Sequence, residues 1–150
     1  MFLDLFITSA HFIFAFSFVA LLALEWVLIK PGVVDLQLRL VARIDLSYGL
    51  LAAALVAAGT SRVLYGAKDA SFYIDSPFFW IKMALFVGVG LASIPPTVAI
   101  IGWRRAAKAD AVFRVPLRSI KLVRRWLMVE TLLLLFVPLA ASLMARGYGL

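Results

Sequence analysis

Ionisable side chains that interrupt long apolar runs are the residues of this chain that can do chemistry. His11, the single histidine, and Glu25, one of two glutamates, both lie in the first run, two heptads apart. On a helix this spacing places them within about 40° of each other, and Asp4 and Phe18 continue the same line. Because an ionisable side chain is unfavourable in lipid, we expect this line to face partner helices.

A cofactor site is the leading function that these residues indicate. The neutral imidazole of His11 is a suitable axial ligand for haem iron, which makes haem b the candidate cofactor. Arg62 and Lys82 are expected at the same depth, where they can bind a haem propionate or another anion. The single histidine excludes a bis-histidine haem within one chain. His11 equally fits a structural role, donating a hydrogen bond to a helix carbonyl or to Asp4.

Aromatic residues near this depth have two interpretations. Their rings can line the pocket of a flat cofactor, or they can form the aromatic belt that membrane proteins carry at the interface. They are Phe12, Phe14, Tyr65 and Trp80.

Three acidic residues, Glu25, Asp45 and Glu130, are expected toward the opposite side of the membrane. They can form ion pairs with arginines at that interface, which would only fix helix ends. Alternatively, Glu25 and Glu130 can carry protons. If the protein is a membrane oxidoreductase, Lys82, Glu25 and Glu130 are its candidate catalytic residues. The arginines at this interface are Arg39, Arg43, Arg124 and Arg125.

Four apolar spans must position these residues. Of the 150 residues, 65% are hydrophobic and 15% are charged, which is more apolar than a soluble domain of this size requires. About 20 apolar residues cross a bilayer, and suitable runs cover approximately residues 5–29, 44–65, 77–103 and 126–145. The sequence therefore predicts an all-α, four-helix transmembrane bundle forming a single domain over residues 1–150.

Composition and motifs argue against several other classes of protein. The absence of cysteine excludes disulfides and iron–sulfur clusters on this chain. The net charge of +7 comes from residues between apolar runs, not from a nucleic-acid-binding pattern. The first run lacks a basic leader and is longer than a signal peptide, so we expect it to be retained as a helix. No zinc-protease, phosphate-loop or serine-triad motif supports hydrolase or kinase chemistry.

Lysine and arginine are concentrated in the first and third links, most of all between Arg104 and Arg125. Positive links stay in the cytoplasm, so we expect both termini outside and a multi-pass protein of the bacterial inner membrane. Residues 33–43 can form a short interfacial helix, and residues 66–76 are expected to be a loop. Pro95 and Pro96 are expected to kink or open the third span.

The second span offers a different function. Its small residues form one slim face, of the kind that lets membrane helices approach closely, so the protein can instead be an accessory or assembly subunit of a larger membrane complex or a homo-oligomer. The face comprises Gly49, Ala52, Ala53, Val56 and Gly59. A third alternative is a small transporter or metal-handling protein of the copper-resistance type. It has less support because Met83, Met128 and Met144 are too scattered to form a thioether metal site.

Four features carry a resemblance to a known family. They are the lone histidine in the first span, the basic residues before the second, FFWIKMALF opening the third and RRWLMVE leading into the fourth. In these the chain resembles small bacterial membrane proteins grouped as a domain of unknown function. In layout it is distantly similar to four-helix membrane protoporphyrinogen oxidases and to the membrane domain of copper-resistance proteins. The oxidase resemblance implies haem b and porphyrinogen oxidation, with His11, Lys82 and Glu130 at the functional positions.

Overall fold

A chain this apolar satisfies its backbone inside lipid by forming helices, since each helix bonds its own N–H and C=O groups. The computed structural model describes residues 2–66 and 68–148, and these are helical throughout apart from short links. The helices are α1 (Phe2–Leu28), α2 (Asp35–Tyr65), α3 (Ala70–Ile74), α4 (Pro77–Ala109) and α5 (Leu117–Ala145). Four of them, all except α3, are long and apolar enough to cross a membrane. The predicted fold class is confirmed.

Three of the spanning helices extend beyond the predicted spans at the end of the bundle that carries most of the lysines and arginines. We call this the basic end; it comprises residues 29–43 and 104–125. The segment predicted as a separate interfacial helix is the first part of α2, where the Val34 N–H donates to Gln37 Oε1 at 3.2 Å. The link before it turns at Gly32, whose φ of +83° is in the left-handed region that favours glycine. Spacing of leucines alone did not distinguish a separate helix from a continuous one.

The prolines of α4 do not interrupt it. Pro95 and Pro96 lack backbone N–H groups, yet α4 is helical from Pro77 to Ala109. Pro96 is buried, so packing against neighbouring helices holds this turn in place. The predicted opening of the helix at this point is therefore not found.

The link between α2 and α4 is more ordered than the loop that was predicted. It contains α3, in which Tyr73 is buried, and the following Ser76 is also buried. Lys68 lies 3.5 Å from the centre of the Phe72 ring and donates a 3.5 Å hydrogen bond to the Ala145 carbonyl. The link is thereby attached to the end of α5.

The spanning helices form two hairpins. α1 packs chiefly on α2, and α4 packs chiefly on α5, while the hairpins meet mainly where α2 contacts α4. The buried core is concentrated toward the basic end, and large apolar side chains on the outside of all four helices are exposed. With spanning helices of this composition, that apolar surface contacts the lipid bilayer.

Candidate functional site

The line of residues predicted on α1 does face the interior. Phe18 and Glu25 are each only 1% exposed, and Asp4 and His11 are partly buried. The heptad spacing therefore identified the interior side of a helix that is apolar on every side.

Acidic side chains from three helices meet near the basic end of the bundle. Glu25 of α1 and Glu130 of α5 are each 1% exposed, and Asp45 of α2 is 9% exposed. Asp45 and Glu130 lie close enough to Glu25 for their charges to act on it, and all three carboxyls act on the hydroxyl of buried Tyr48. We call Glu25, Asp45, Glu130 and Tyr48 the acid cluster.

Two hydroxyl groups partly satisfy these carboxyls. Tyr48 donates to Glu130 Oε2 at 2.9 Å, and Thr97 of α4 donates to Asp45 Oδ1 at 2.7 Å. One oxygen each of Glu25 and Glu130, Oε1 in both, is buried without a hydrogen-bond partner. Since buried polar atoms are almost always paired, these two oxygens require an explanation.

The contacts of Arg124 differ from the predicted ion pairs between these acids and the interface arginines. Arg124, one of the four arginines named for these pairs, instead donates to the carbonyl oxygens of Trp26 and Ile29, at 3.1 and 2.8 Å. Its guanidinium also lies 4.6 Å from the centre of the Trp26 ring. The end of α1 leaves backbone carbonyls without helical partners, and these compete successfully for the arginine. For Arg124 the structure therefore shows carbonyl oxygens as the partners, and the role of the acids stays a prediction.

Apolar layers enclose the acid cluster on both sides. Toward the middle of the membrane, Phe18 stacks on Tyr48 with ring centres 4.1 Å apart and also contacts Phe86. At the basic end, a plug of buried apolar side chains joins α2, α4, α5 and the links between helices. The basic-end plug consists of Ile29, Val33, Leu38, Val41, Trp103, Val115, Ile120 and Val123.

A groove between α2 and α4 passes beside this plug. It has a volume of about 350 Å³, and Asp45 and Thr97 belong to its wall. The other lining residues are apolar or basic: Ala42, Leu46, Ile101, Arg104, Arg105 and Lys108. Asp45 is thus the acidic residue of the cluster that borders this groove.

The basic residues predicted at one depth also come together. Arg62 and Lys82 are both near enough to His11 for their charges to act on it, and His11 Nδ1 is buried without a hydrogen-bond partner. The His11 ring lies against Gly59, where an added Cβ would be 3.6 Å from its Cε1 atom. We call His11, Arg62 and Lys82 the basic cluster. The predicted hydrogen bond from His11 to a carbonyl or to Asp4 is not formed at Nδ1.

The aromatic residues near the basic cluster mostly point outward. Phe12, Tyr65 and Trp80 are each more than half exposed, whereas Phe14 packs on the core. Trp80 donates to the Ile74 carbonyl at 3.0 Å. Their positions favour the aromatic belt over the lining of a flat cofactor pocket.

The slim face of α2 divides into two parts. Gly49, Ala53 and Val56 are exposed, whereas Ala52 packs on the core and Gly59 contacts His11. The part of the face that is free to meet another protein is therefore narrower than the sequence predicted.

Sequence reasoning missed Tyr48 and Thr97, which hold two of the three acidic residues. The spacing of Tyr48 three residues after Asp45 puts both on one face of α2 and was an available signal. Thr97 had none, because only the meeting of α2 and α4 brings it to Asp45. Nowhere in residues 2–66 and 68–148 do three histidine, cysteine or acidic side chains converge in a way suited to a metal ion.

Comparison with known proteins finds one family. The family described as predicted membrane protein (DUF2214) matches residues 3–149 of this chain. No curated protein and no solved structure matches it. The resemblance to a family of unknown function is thus confirmed, and the more distant resemblances to porphyrinogen oxidases and copper-resistance proteins stay predictions.

Proposed function

The chain belongs to this family of predicted membrane proteins, and we propose that it binds and exchanges protons at the acid cluster. One observation carries the proposal. Glu25 and Glu130 are fully buried within spanning helices, and each has a carboxyl oxygen without a partner. Ionisable residues within transmembrane segments are rare, and they commonly mark ion or proton pathways.

The surroundings of the two glutamates favour a proton over other ligands. A buried carboxylate requires a cation, a metal ion or a proton to offset the cost of losing water. Within the described residues, no lysine or arginine donates a hydrogen bond to Oε1 of either glutamate. A proton needs no additional space and converts each carboxyl into a donor as well as an acceptor.

The hydroxyl of Tyr48 provides a connection inside the cluster. It donates to Glu130 at 2.9 Å and lies within the electrostatic reach of Glu25 and Asp45. A hydroxyl both donates and accepts, so Tyr48 can pass a hydrogen bond from one carboxyl to another. Its stacking on Phe18 fixes the ring for this role.

Infrared difference spectroscopy of the protein in lipid tests the proposal. Glu25→Gln and Glu130→Gln keep the size of each side chain while removing a proton-binding group. In a pH titration of the wild type we expect a carbonyl band from protonated buried carboxyls. Each substitution should remove part of this band, and the double variant should remove most of it.

Proteoliposomes containing a trapped pH-sensitive dye give the functional readout. The external pH is changed in a jump, with potassium and valinomycin present to dissipate the membrane potential. We expect the internal pH to equilibrate faster with the wild type than with the double glutamine variant. Asp75→Asn, in the exposed link before α4, is the matched control and should behave as wild type. A titration without a buried carboxyl band, or equal equilibration in all proteins, contradicts proton exchange.

Haem binding at the basic cluster is the second candidate. It is supported by His11 Nδ1, buried without a partner beside the cations of Arg62 and Lys82. His11 would supply the axial nitrogen, Arg62 and Lys82 would bind the propionates, and the haem would supply one-electron redox chemistry. A Soret band that is lost in His11→Ala and kept in Glu25→Gln supports this candidate. If there is no chromophore and a stoichiometric membrane protein copurifies, the accessory-subunit function gains support instead.

A further inference from the structure

The acid cluster is separated from the solvent at the basic end by packed apolar side chains. The basic-end plug defined above lies between Glu25 and the water beyond the links, and its members are at most 9% exposed. The opposite side is covered by the stacked rings of Phe18 and Tyr48. Protons therefore cannot reach the glutamates through either layer without a local opening.

One lateral route avoids both layers. The groove between α2 and α4 brings an open space of about 350 Å³ to the side chains of Asp45 and Thr97. Asp45 is in turn within electrostatic reach of both glutamates and Tyr48. The groove and the acid cluster thus share a single side chain, Asp45.

We propose that the α2–α4 groove is the solvent entrance to the acid cluster and that Asp45 is the residue that exchanges protons between water and the buried glutamates. This inference rests on the proposed function, and it adds a route and a sidedness to it. The Thr97 hydroxyl is a positioning group, which holds Oδ1 of Asp45 at 2.7 Å and leaves Oδ2 for water or a neighbouring acid.

The charges around Asp45 are consistent with this role. On its inner side it faces Glu25 of α1, Tyr48 of α2 and Glu130 of α5. On the groove side the nearby cations are Arg104, Arg105 and Lys108 of α4. Asp45 therefore lies between acidic side chains on its inner side and a groove with basic lining residues, where it can lose a proton to the groove and regain one from a protonated glutamate.

The chain has no cysteine, so single cysteines report which positions are reached by water. Leu46→Cys and Ile101→Cys lie in the groove, while Leu50→Cys and Val98→Cys are controls outside it at positions that are at least as exposed. With a membrane-impermeant thiol reagent applied to the basic end, we expect modification of the two groove cysteines and none of the controls. Thiols in lipid stay protonated and unreactive, whereas thiols in water form the reactive thiolate.

Hydrogen–deuterium exchange of the buried carboxyl band tests Asp45 itself. In Asp45→Asn, whose amide oxygen still accepts from Thr97, we expect the exchange of the glutamate carboxyls to slow on the order of 100-fold, the smaller end of what a positioned proton-transfer group contributes. Thr97→Val should slow it less. Asp75→Asn should leave it unchanged.

These measurements distinguish a failure of the proposed entrance from a failure of the proposed function. Absence of a buried carboxyl band in the wild type overturns proton binding and the entrance with it. A band that is present but exchanges equally fast in Asp45→Asn and Asp75→Asn overturns the entrance alone. Groove cysteines that react no faster than the two lipid-facing controls also overturn it.

Discussion

The hydrogen bond from Tyr48 to Glu130 is the interaction whose removal has the most direct consequence. Tyr48 is 4% exposed and Glu130 is 1% exposed, and the 2.9 Å bond is the one that satisfies the Glu130 carboxyl. Tyr48→Phe removes the hydroxyl but keeps the ring that stacks on Phe18. The Oε1 atom of Glu130 has no partner already, so the variant leaves the whole carboxyl unsatisfied.

The expected loss of stability in Tyr48→Phe follows from this geometry. Leaving a buried polar group unpaired costs about 1–3 kcal/mol, and hydrogen bonds between membrane helices contribute about 1–2 kcal/mol at most. We expect Tyr48→Phe to lower the free energy of unfolding by about 1.5–2 kcal/mol, equivalent to roughly a 10- to 30-fold change in the folding equilibrium. Tyr65→Phe, on the same helix but exposed, should change it by less than about 0.5 kcal/mol.

Reversible unfolding in mixed micelles provides the measurement, and a double-mutant cycle with Glu130→Leu, which removes the acceptor, isolates the pair. We expect a coupling energy of about 1 kcal/mol or more between the two positions. Equal stabilities of Tyr48→Phe and Tyr65→Phe, or a coupling energy near zero, would refute the role given to this hydrogen bond.

Two further predictions concern the contacts around each cluster. Arg124→Gln should lower the free energy of unfolding by about 2 kcal/mol, because two backbone carbonyls at the end of α1 lose a charged donor and the Trp26 ring loses its cation. Arg125→Gln, at the exposed neighbouring position, should have little effect. Equal effects of the two substitutions in chemical denaturation would contradict the prediction. Gly59→Ala should be tolerated because its Cβ would make an ordinary 3.6 Å contact with His11, whereas Gly59→Leu should cost about 1–3 kcal/mol through overpacking. Thermal unfolding of both glycine variants checks this, and equal melting temperatures would show that the helices do not approach closely there.

The sequence carried enough information for the fold because lipid restricts the choices. Runs of about 20 apolar residues in a membrane have to be helices, and all four predicted spans are helical. Helix ends were less predictable. Val34 to Arg43 contains both polar and apolar residues, so its composition fits an interfacial helix as well as the continuation of α2 that the structure has.

The candidate site was partly predictable for the same reason. Glu25 and Glu130 are rare residue types in apolar runs, and their intramembrane position alone made them candidates. Their partners required three-dimensional information. Arg124 was expected to bind an acid and binds carbonyls instead, because sequence does not reveal that α1 ends beside it. Thr97 was not considered, since no local pattern links it to Asp45.

The position of the acid cluster between the two hairpins connects its chemistry to the packing of the bundle. Several side-chain hydrogen bonds of the described residues join α1 and α2 to α4 and α5 close to this cluster. They link Tyr48 to Glu130, Thr97 to Asp45, Trp26 to Thr131, and Arg124 to the end of α1. The basic cluster shows no corresponding hydrogen bond across the hairpins among these residues.

A change in the protonation of the acid cluster therefore acts on the contacts that hold the hairpins together. Substitutions of Glu130 that keep or remove its hydrogen-bond acceptor should therefore differ in their effect on stability. Glu130→Gln keeps an acceptor for Tyr48, so it should reduce proton exchange while retaining most of the stability. Glu130→Leu removes the acceptor as well and leaves a buried hydroxyl unpaired, so we expect an additional loss of about 1–3 kcal/mol. If both variants were equally stable, the hydrogen bonds of the cluster would not be what joins the hairpins, and the stability of the bundle would come from apolar packing alone.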